Sequence, residues 1–299
     1  MNDEIKQRIK IAVVLFLGVV LLTYPPAAQW FDQLEKSRLI DTFHLEVDAE
    51  AEAFKARELE LSRAYNSTLG EGTAFDPFTQ KLVTVDGDAY REYEKRLVNL
   101  PSKVMARVKV PSLGIDLPVY HGTDEDTLLS GIGHLYGTAL PVGGEGTHSV
   151  LTAHSGLASA RFFTDLPKVA DGELVHVDVL GETLTYKIYH REEVLPHETE
   201  FLVAQPNKDL LTLVTCTPVG VNSHRLLVTA ERVPTPEEVI PLLNDQPGFP
   251  WWSFILGGAA VVLGGYVYAG RRQQASADAT SHAPPGGAVR GGQKRSARP

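Results

Sequence analysis

One cysteine, Cys216, is all that the 299 residues contain. No intrachain disulfide can therefore hold the fold, and the lone thiol is a buried filler, an intermolecular partner or a reactive group. Ten histidines are present, yet no close pair stands at a ligand spacing and no second cysteine joins them, so the pattern of a metal site is missing. No Walker-type loop appears, and no Gly-x-Gly-x-x-Gly follows a strand, which removes the usual phosphate and dinucleotide cradles. No cofactor is expected. Positive charge is scarce too. The chain carries a net −9, and the little excess of cations sits at its ends: Lys6, Arg8 and Lys10 outweigh Asp3 and Glu4 to give +1, and Arg271, Arg272, Arg290, Lys294, Arg295 and Arg298 outweigh Asp278 to give +5. By difference, residues 11 to 270 hold −15, which argues against a nucleic-acid partner. No internal repeat is visible.

What is present begins with an apolar content of 43%, enough for a sizeable core. Two apolar runs stand apart from it. Ile11 to Tyr24 continues through Pro25, Pro26, Ala27 and Ala28 to Trp30 and Phe31, about the 20 residues that a bilayer span requires. A cleaved signal peptide fits the basic flank and the small residues Ala27 and Ala28, whereas the aromatic pair after two prolines fits an interfacial anchor. Trp251 to Gly270 has no charge inside it and is bracketed by Trp251, Trp252 and by Arg271, Arg272. Basic flanks on both outer sides place both termini in the cytoplasm and residues of about 32 to 248 outside.

Between the runs the texture changes twice. Asp32 to Tyr65 has Leu34, Phe43, Val47, Ala51 and Phe54 at spacings near three and four, which predicts helix. Asn66 to Gln80 contains Gly70, Gly72 and Pro77 and predicts a loop. From Met105 onward, seven β-branched runs follow: 108–110, 115–120, 148–153, 174–180, 183–189, 210–216 and 226–233. Separated by Gly, Pro and Asn, they predict a compact all-β barrel or sandwich. The expected organisation is a cytoplasmic N-terminus over 1–10, a transmembrane signal-anchor helix over 11–31, an extracellular helical segment over 32–66, a loop over 67–82, a β domain over 83–235, a linker over 236–250, a transmembrane helix over 251–270 and a disordered basic cytoplasmic tail over 271–299.

Cys216 closes the run Leu210 to Cys216 just before Pro218, where a ladder cannot continue. A core cysteine fits that position, and so does a thiol at a strand end, open to substrate. A nucleophilic thiol needs a neighbour that favours the thiolate, since a free one has a pKa of about 8.5. His154 closes the run 148–153 and precedes Ser155 and Gly156, and Arg225 opens the last run after the turn 220–223. His224 is a rival to Arg225, but consecutive strand residues face opposite sides.

Taken together, Thr212-Leu213-Val214-Thr215-Cys216, the His154 strand end and the downstream Arg225 resemble the sortase family, whose signature is Thr-Leu-x-Thr-Cys with distant histidine and arginine. Gly133 to Pro141, Gly146-Thr147-His148 and Asn222 to Val228 are similar to it as well, so the likeness spans roughly Tyr65 to Val233. The resemblance implies a mainly β fold: an eight-stranded barrel with an N-terminal helical segment and lid loop, flanked by two transmembrane helices. It implies a cysteine transpeptidase in the cell membrane of a Gram-positive bacterium, with Cys216, His154 and Arg225 as its catalytic residues. Cys216 would attack the Thr-Gly bond of a C-terminal Leu-Pro-x-Thr-Gly-type sorting signal, forming a thioacyl-enzyme that an amine resolves. Asp76-Pro77-Phe78 is similar to the lid of class C, pilin-polymerising sortases, and the second span fits that class. The partners implied are pilin or surface proteins bearing a sorting signal, with a pilin lysine as acceptor. A housekeeping sortase using a peptidoglycan precursor amine, or a silent membrane adaptor, are the alternatives. Where many class C sequences have arginine after the histidine, this chain has Ser155.

Overall fold

The computed structural model describes residues 3–69, 87–97, 100–236 and 248–281. The chain divides into two compact units, residues 25–249 and a second made of 1–24 with 250–299.

The larger unit is built on a barrel. Among the described residues, eight strands close it: β1 (Ala106–Val110), β2 (Ile115–His121), β3 (Ile132–His134), β4 (Thr147–Thr152), β5 (Leu174–Val179), β6 (Glu182–Val194), β7 (Asp209–Thr217) and β8 (His224–Val233). Their order around the barrel is β1-β2-β3-β4-β7-β8-β6-β5. Most neighbours are antiparallel, but β2 with β3 and β4 with β7 are parallel. A parallel pair cannot be joined by a tight hairpin. Between β2 and β3 the crossover is made by α4 (Glu125–Ser130), whose first turn is capped by the Asp124 side chain accepting the Thr127 N–H. The barrel interior is filled by Val108, Val110, Val119, Val175, Val177, Leu211, Leu213 and Val228 with their neighbours, all fully or almost fully buried. β6 is longer than the run 183–189 suggested and carries an irregularity between Ile188 and His190, which lets its far half keep pairing with β8 as the barrel curves.

Helices cover one flank. α1 (Asp3–Ala49) turns Ile40, Phe43 and Val47 inward, and α2 (Glu52–Thr68) adds Leu59. Beneath α1, every residue of β1 is buried, so even its outward positions must be satisfied. Arg107, 0% exposed, does this with a fork to Asp116, Nε to Oδ1 at 2.6 Å and Nη2 to Oδ2 at 2.5 Å. Asp178 lies 3.5 Å from Nη1, which also meets His44 Nε2 of α1 at 3.0 Å. Where a helix over 32–66 was expected, the structure has two. The break falls at Ala51, which is extended at φ −64 and ψ 138. A third helix, α3 (Gly87–Glu94), packs Tyr93 onto His134, with the Tyr93 hydroxyl 3.0 Å from His134 Nδ1.

In the smaller unit, α5 (Trp251–Ser281) and the start of α1 are each long and apolar enough to cross a membrane. α1 continues through Pro25 and Pro26 without interruption. α5 runs past Arg271 and Arg272 to Ser281, so the expected tail begins as helix, and the rest of it, from 282, lies outside the described residues. So do most of the linker over 236–250 and the lid residues Asp76, Pro77 and Phe78.

Candidate active site

The strand end that carries Cys216 is set by its neighbours in the sheet. β7 and β8 pair so that Cys216 stands directly opposite Arg225 and Thr217 opposite His224. On the other side, β4 runs parallel to β7 with Thr152 beside Val214. Continuing that register by two residues brings His154 alongside Cys216. Opposed strand residues share a face, so Cys216 and Arg225 rise from one face of β7 and β8, and His154 stands two residues past the end of β4. His224, one residue from Arg225, belongs to the other face, where its Nδ1 lies 2.9 Å from Ser223 Oγ.

The same face explains why these strand ends hold their shape. Below Cys216 come Val214 and Thr212, below His154 come Thr152, Val150 and His148, and below Arg225 come Leu227 and Thr229. Val150, Val214 and Leu227 join Leu135, Val194 and Leu202 in a second apolar cluster outside the barrel core. Leu202 comes from the connection between β6 and β7, so that connection is packed onto this face. A buried polar chain pins it further. His148 Nδ1 lies 3.1 Å from the Val203 carbonyl, His148 Nε2 lies 2.7 Å from Thr212 Oγ1, and Thr212 Oγ1 lies 2.9 Å from Thr229 Oγ1. A neutral imidazole satisfies both ends, donating to the carbonyl and accepting the hydroxyl proton. Burial lowers the His148 pKa, in keeping with that neutral form.

At the mouth of the site, exposure rises. Cys216 and His154 are half-buried, while Arg225 is 8% exposed. Arg225 Nη1 donates to the carbonyls of Asn222 and His224, both at 3.2 Å, which folds the guanidinium back against its own turn. Burial lowers the His154 pKa, and the carboxylate of Glu125 on α4 acts in the opposite sense. A neutral imidazole can accept a proton, and a fixed cation beside a thiol favours its anion. Among the described residues, no group of three or more His, Cys, Asp or Glu side chains gathers to hold a metal ion. Of Cys216, His154 and Arg225, singled out from the sequence, the barrel sets Cys216 opposite Arg225, and His154 follows the end of the neighbouring β4. Sequence reading missed the His148-Thr212-Thr229 chain, whose signal was the shared parity of those residues with His154, Cys216 and Arg225.

A closed eight-stranded barrel with one thiol, one imidazole and one guanidinium on adjacent strand ends defines a thiol-enzyme class. Comparison with known proteins names it. A family model described as a sortase domain matches residues 108–233. The crystal structure of sortase C-1 from Actinomyces oris is 46% identical, with a TM-score of 0.58, covering 60% of this chain and 99% of that one. Streptococcus pneumoniae sortase C is 35% identical at a TM-score of 0.60, covering 66% of this chain and 97% of the other. Sortase A of Bacillus anthracis is 29% identical over 133 residues, 44% of this chain, which thus spans 61% of that relative's length. The chain belongs to the sortase family of cysteine transpeptidases. Within that family it is most like class C.

Proposed function

We propose that the protein is a membrane-anchored transpeptidase that cleaves a Leu-Pro-x-Thr-Gly-type sorting signal between Thr and Gly and passes the acyl group to a pilin lysine. The observation that supports this reading is the direct pairing of Cys216 on β7 with Arg225 on β8, next to β4, whose end leads to His154. Cys216 Sγ gives its proton to His154 and, as thiolate, adds to the threonine carbonyl. The carbon becomes tetrahedral and its oxygen takes the negative charge, which Arg225 stabilises in this proposal. Collapse expels the glycine amine, protonated by His154, and leaves a thioester. The lysine amine then adds to that thioester, His154 removes its proton, and the thiolate departs as the new amide forms. Support for a pilin substrate comes from the likeness to sortase C of S. pneumoniae, whose structure is described as bearing on pilin substrate specificity. The two apolar helices support membrane anchoring with the barrel outside and both termini inside. The Asp76-Pro77-Phe78 lid remains part of the proposal on sequence resemblance. Incubating the full-length protein in detergent with a candidate pilin tests the reading. Covalent ladders that require Cys216 are expected, and release of a hydrolysed pilin with no ladder, even with excess acceptor, would remove the polymerising role.

A further inference from the structure

We propose that Ser155 is a positioning residue, whose hydroxyl sets the His154 imidazole against the Cys216 thiol by binding the Cys216 peptide itself. The inference rests on the roles just proposed for Cys216 and His154. Its ground is the way the chain leaves β4. The strand stops at Thr152, and just past it the Ala153 N–H donates to the Val214 carbonyl at 3.2 Å. Beyond it, two side-chain hydroxyls continue the contact. Thr215 Oγ1 donates to the Ala153 carbonyl at 2.8 Å, and Ser155 Oγ donates to the Cys216 carbonyl at 2.7 Å. His154 thus lies between two hydroxyl links, one on each side of it in sequence.

The two links differ in where they land. Thr215 fixes the peptide before His154, whereas Ser155 ties the peptide after it to the residue that bears the thiol. Two further anchors lead elsewhere: the His154 carbonyl accepts from the Phe163 N–H at 3.0 Å, and the Gly156 N–H donates to Thr164 Oγ1 at 2.9 Å. Gly156 is turned at φ +76 and lies so close to Val219 that an added Cβ would come within 2.4 Å of its Cγ1. That contact brings the two loops together, but apolar contact has no preferred direction, whereas a hydrogen bond does. A short hydroxyl is the side chain that reaches one peptide across at this separation. Alanine has no donor.

The consequence is kinetic. Misplacing a catalytic group by about 1 Å can cost about 100-fold, and loss of one neutral hydrogen bond that biases the geometry should cost about tenfold. The test uses the full-length chain in detergent, unmodified and as Ser155→Ala and Ser155→Thr. Steady-state cleavage of a sorting-signal peptide gives kcat and KM, and iodoacetamide alkylation of Cys216 across a pH series needs no substrate. Ser155→Ala should lower kcat about tenfold with KM changed less than about twofold, and should raise the midpoint of the alkylation profile by about one pH unit as the imidazole drifts from the thiol. Ser155→Thr should restore both. A role in stability alone would lower the melting temperature and leave kcat and the midpoint unmoved. Unmoved kcat and midpoint in Ser155→Ala, or a threonine variant as impaired as the alanine one, would overturn the proposal. Failure of the unmodified protein to cleave any sorting-signal peptide would instead overturn the substrate reading, with the alkylation midpoint still deciding Ser155.

Discussion

Cys216 and Arg225 are cross-strand partners, directly opposed in the antiparallel pair of β7 and β8. Opposed residues point to the same face, so the guanidinium shares the thiol's face by register, not by a chance rotamer. Arg225→Ala should lower turnover by about 100-fold or more, as loss of an oxyanion donor does. His224→Ala, on the other face, should cost far less. Peptide-cleavage kinetics on both variants checks the ranking, and a reversed order would assign the role to the wrong residue.

Cys216→Ala should leave neither acyl-enzyme nor product, because the chain has no second thiol to take over. Mass spectrometry after mixing with a sorting-signal peptide reads this directly. Any thioester-sized adduct on the variant would contradict the mechanism.

Stability should fall on acidification, with a contribution from two buried histidines. Burial brings His121 and His134 down to about 4, below the unfolded value of about 6.5. Between those values the unfolded chain binds protons that the folded one does not. Their contribution is therefore complete above about pH 6.5 and is lost as the pH falls through about 4, by an amount on the order of 3 kcal/mol for His134 and less for the more exposed His121. Thermal unfolding at a series of pH values should show a shallower acid slope in His121→Gln. An identical slope would show that His121 titrates normally in the fold.

Arg107 is enclosed between α1 and the sheet with Asp116, Asp178 and His44 around it. Removing one partner of a buried ionic group strands the others, at a cost of about 3 to 5 kcal/mol. Arg107→Ala should accordingly lower the melting temperature by several degrees or more and increase proteolysis near the helix that His44 anchors. A variant that melts with the unmodified protein would mean that water reaches the carboxylates.

Protease shaving of intact cells should spare a tag placed after Pro299 while degrading the barrel once it is loosened by heat. The test follows from the proposed topology, which the basic residues on the outer flanks of both spans favour. Removal of the tag without lysis would invert the topology.

Much of this was legible because period-two patterning marks strands that bury one face. The runs beginning at Ile115, His148, Leu174, Leu210 and Leu226 all became strands. β3 did not show itself: Ile132-Gly133-His134 is too short for any alternation, and its pairing with β2 and β4 is set by the barrel, not by propensity. α1 runs through Pro25 and Pro26, as does the helix expected over 11–31. Proline removes a donor and normally ends a helix, but apolar surroundings penalise any unpaired backbone so strongly that the helix persists. Cys216, His154 and Arg225 were readable as strand-end residues. The Ser155 bond was not, since a side chain reaching one peptide across a parallel pair leaves no trace in spacing.

The parallel pairing of β4 with β7 has a consequence for the order in which the protein is made. His154 and Cys216 meet only after the chain has added β5, β6 and the long connection that follows, and Arg225 arrives later still with β8. A nascent chain ending before Cys216 has no thiol, and one ending between Cys216 and β8 holds the thiol and the imidazole with no completed barrel to align them. Synthesis itself acts as a timer. The nucleophile stays unassembled through most of translation, and the chemistry becomes available only when nearly the whole β domain has been delivered.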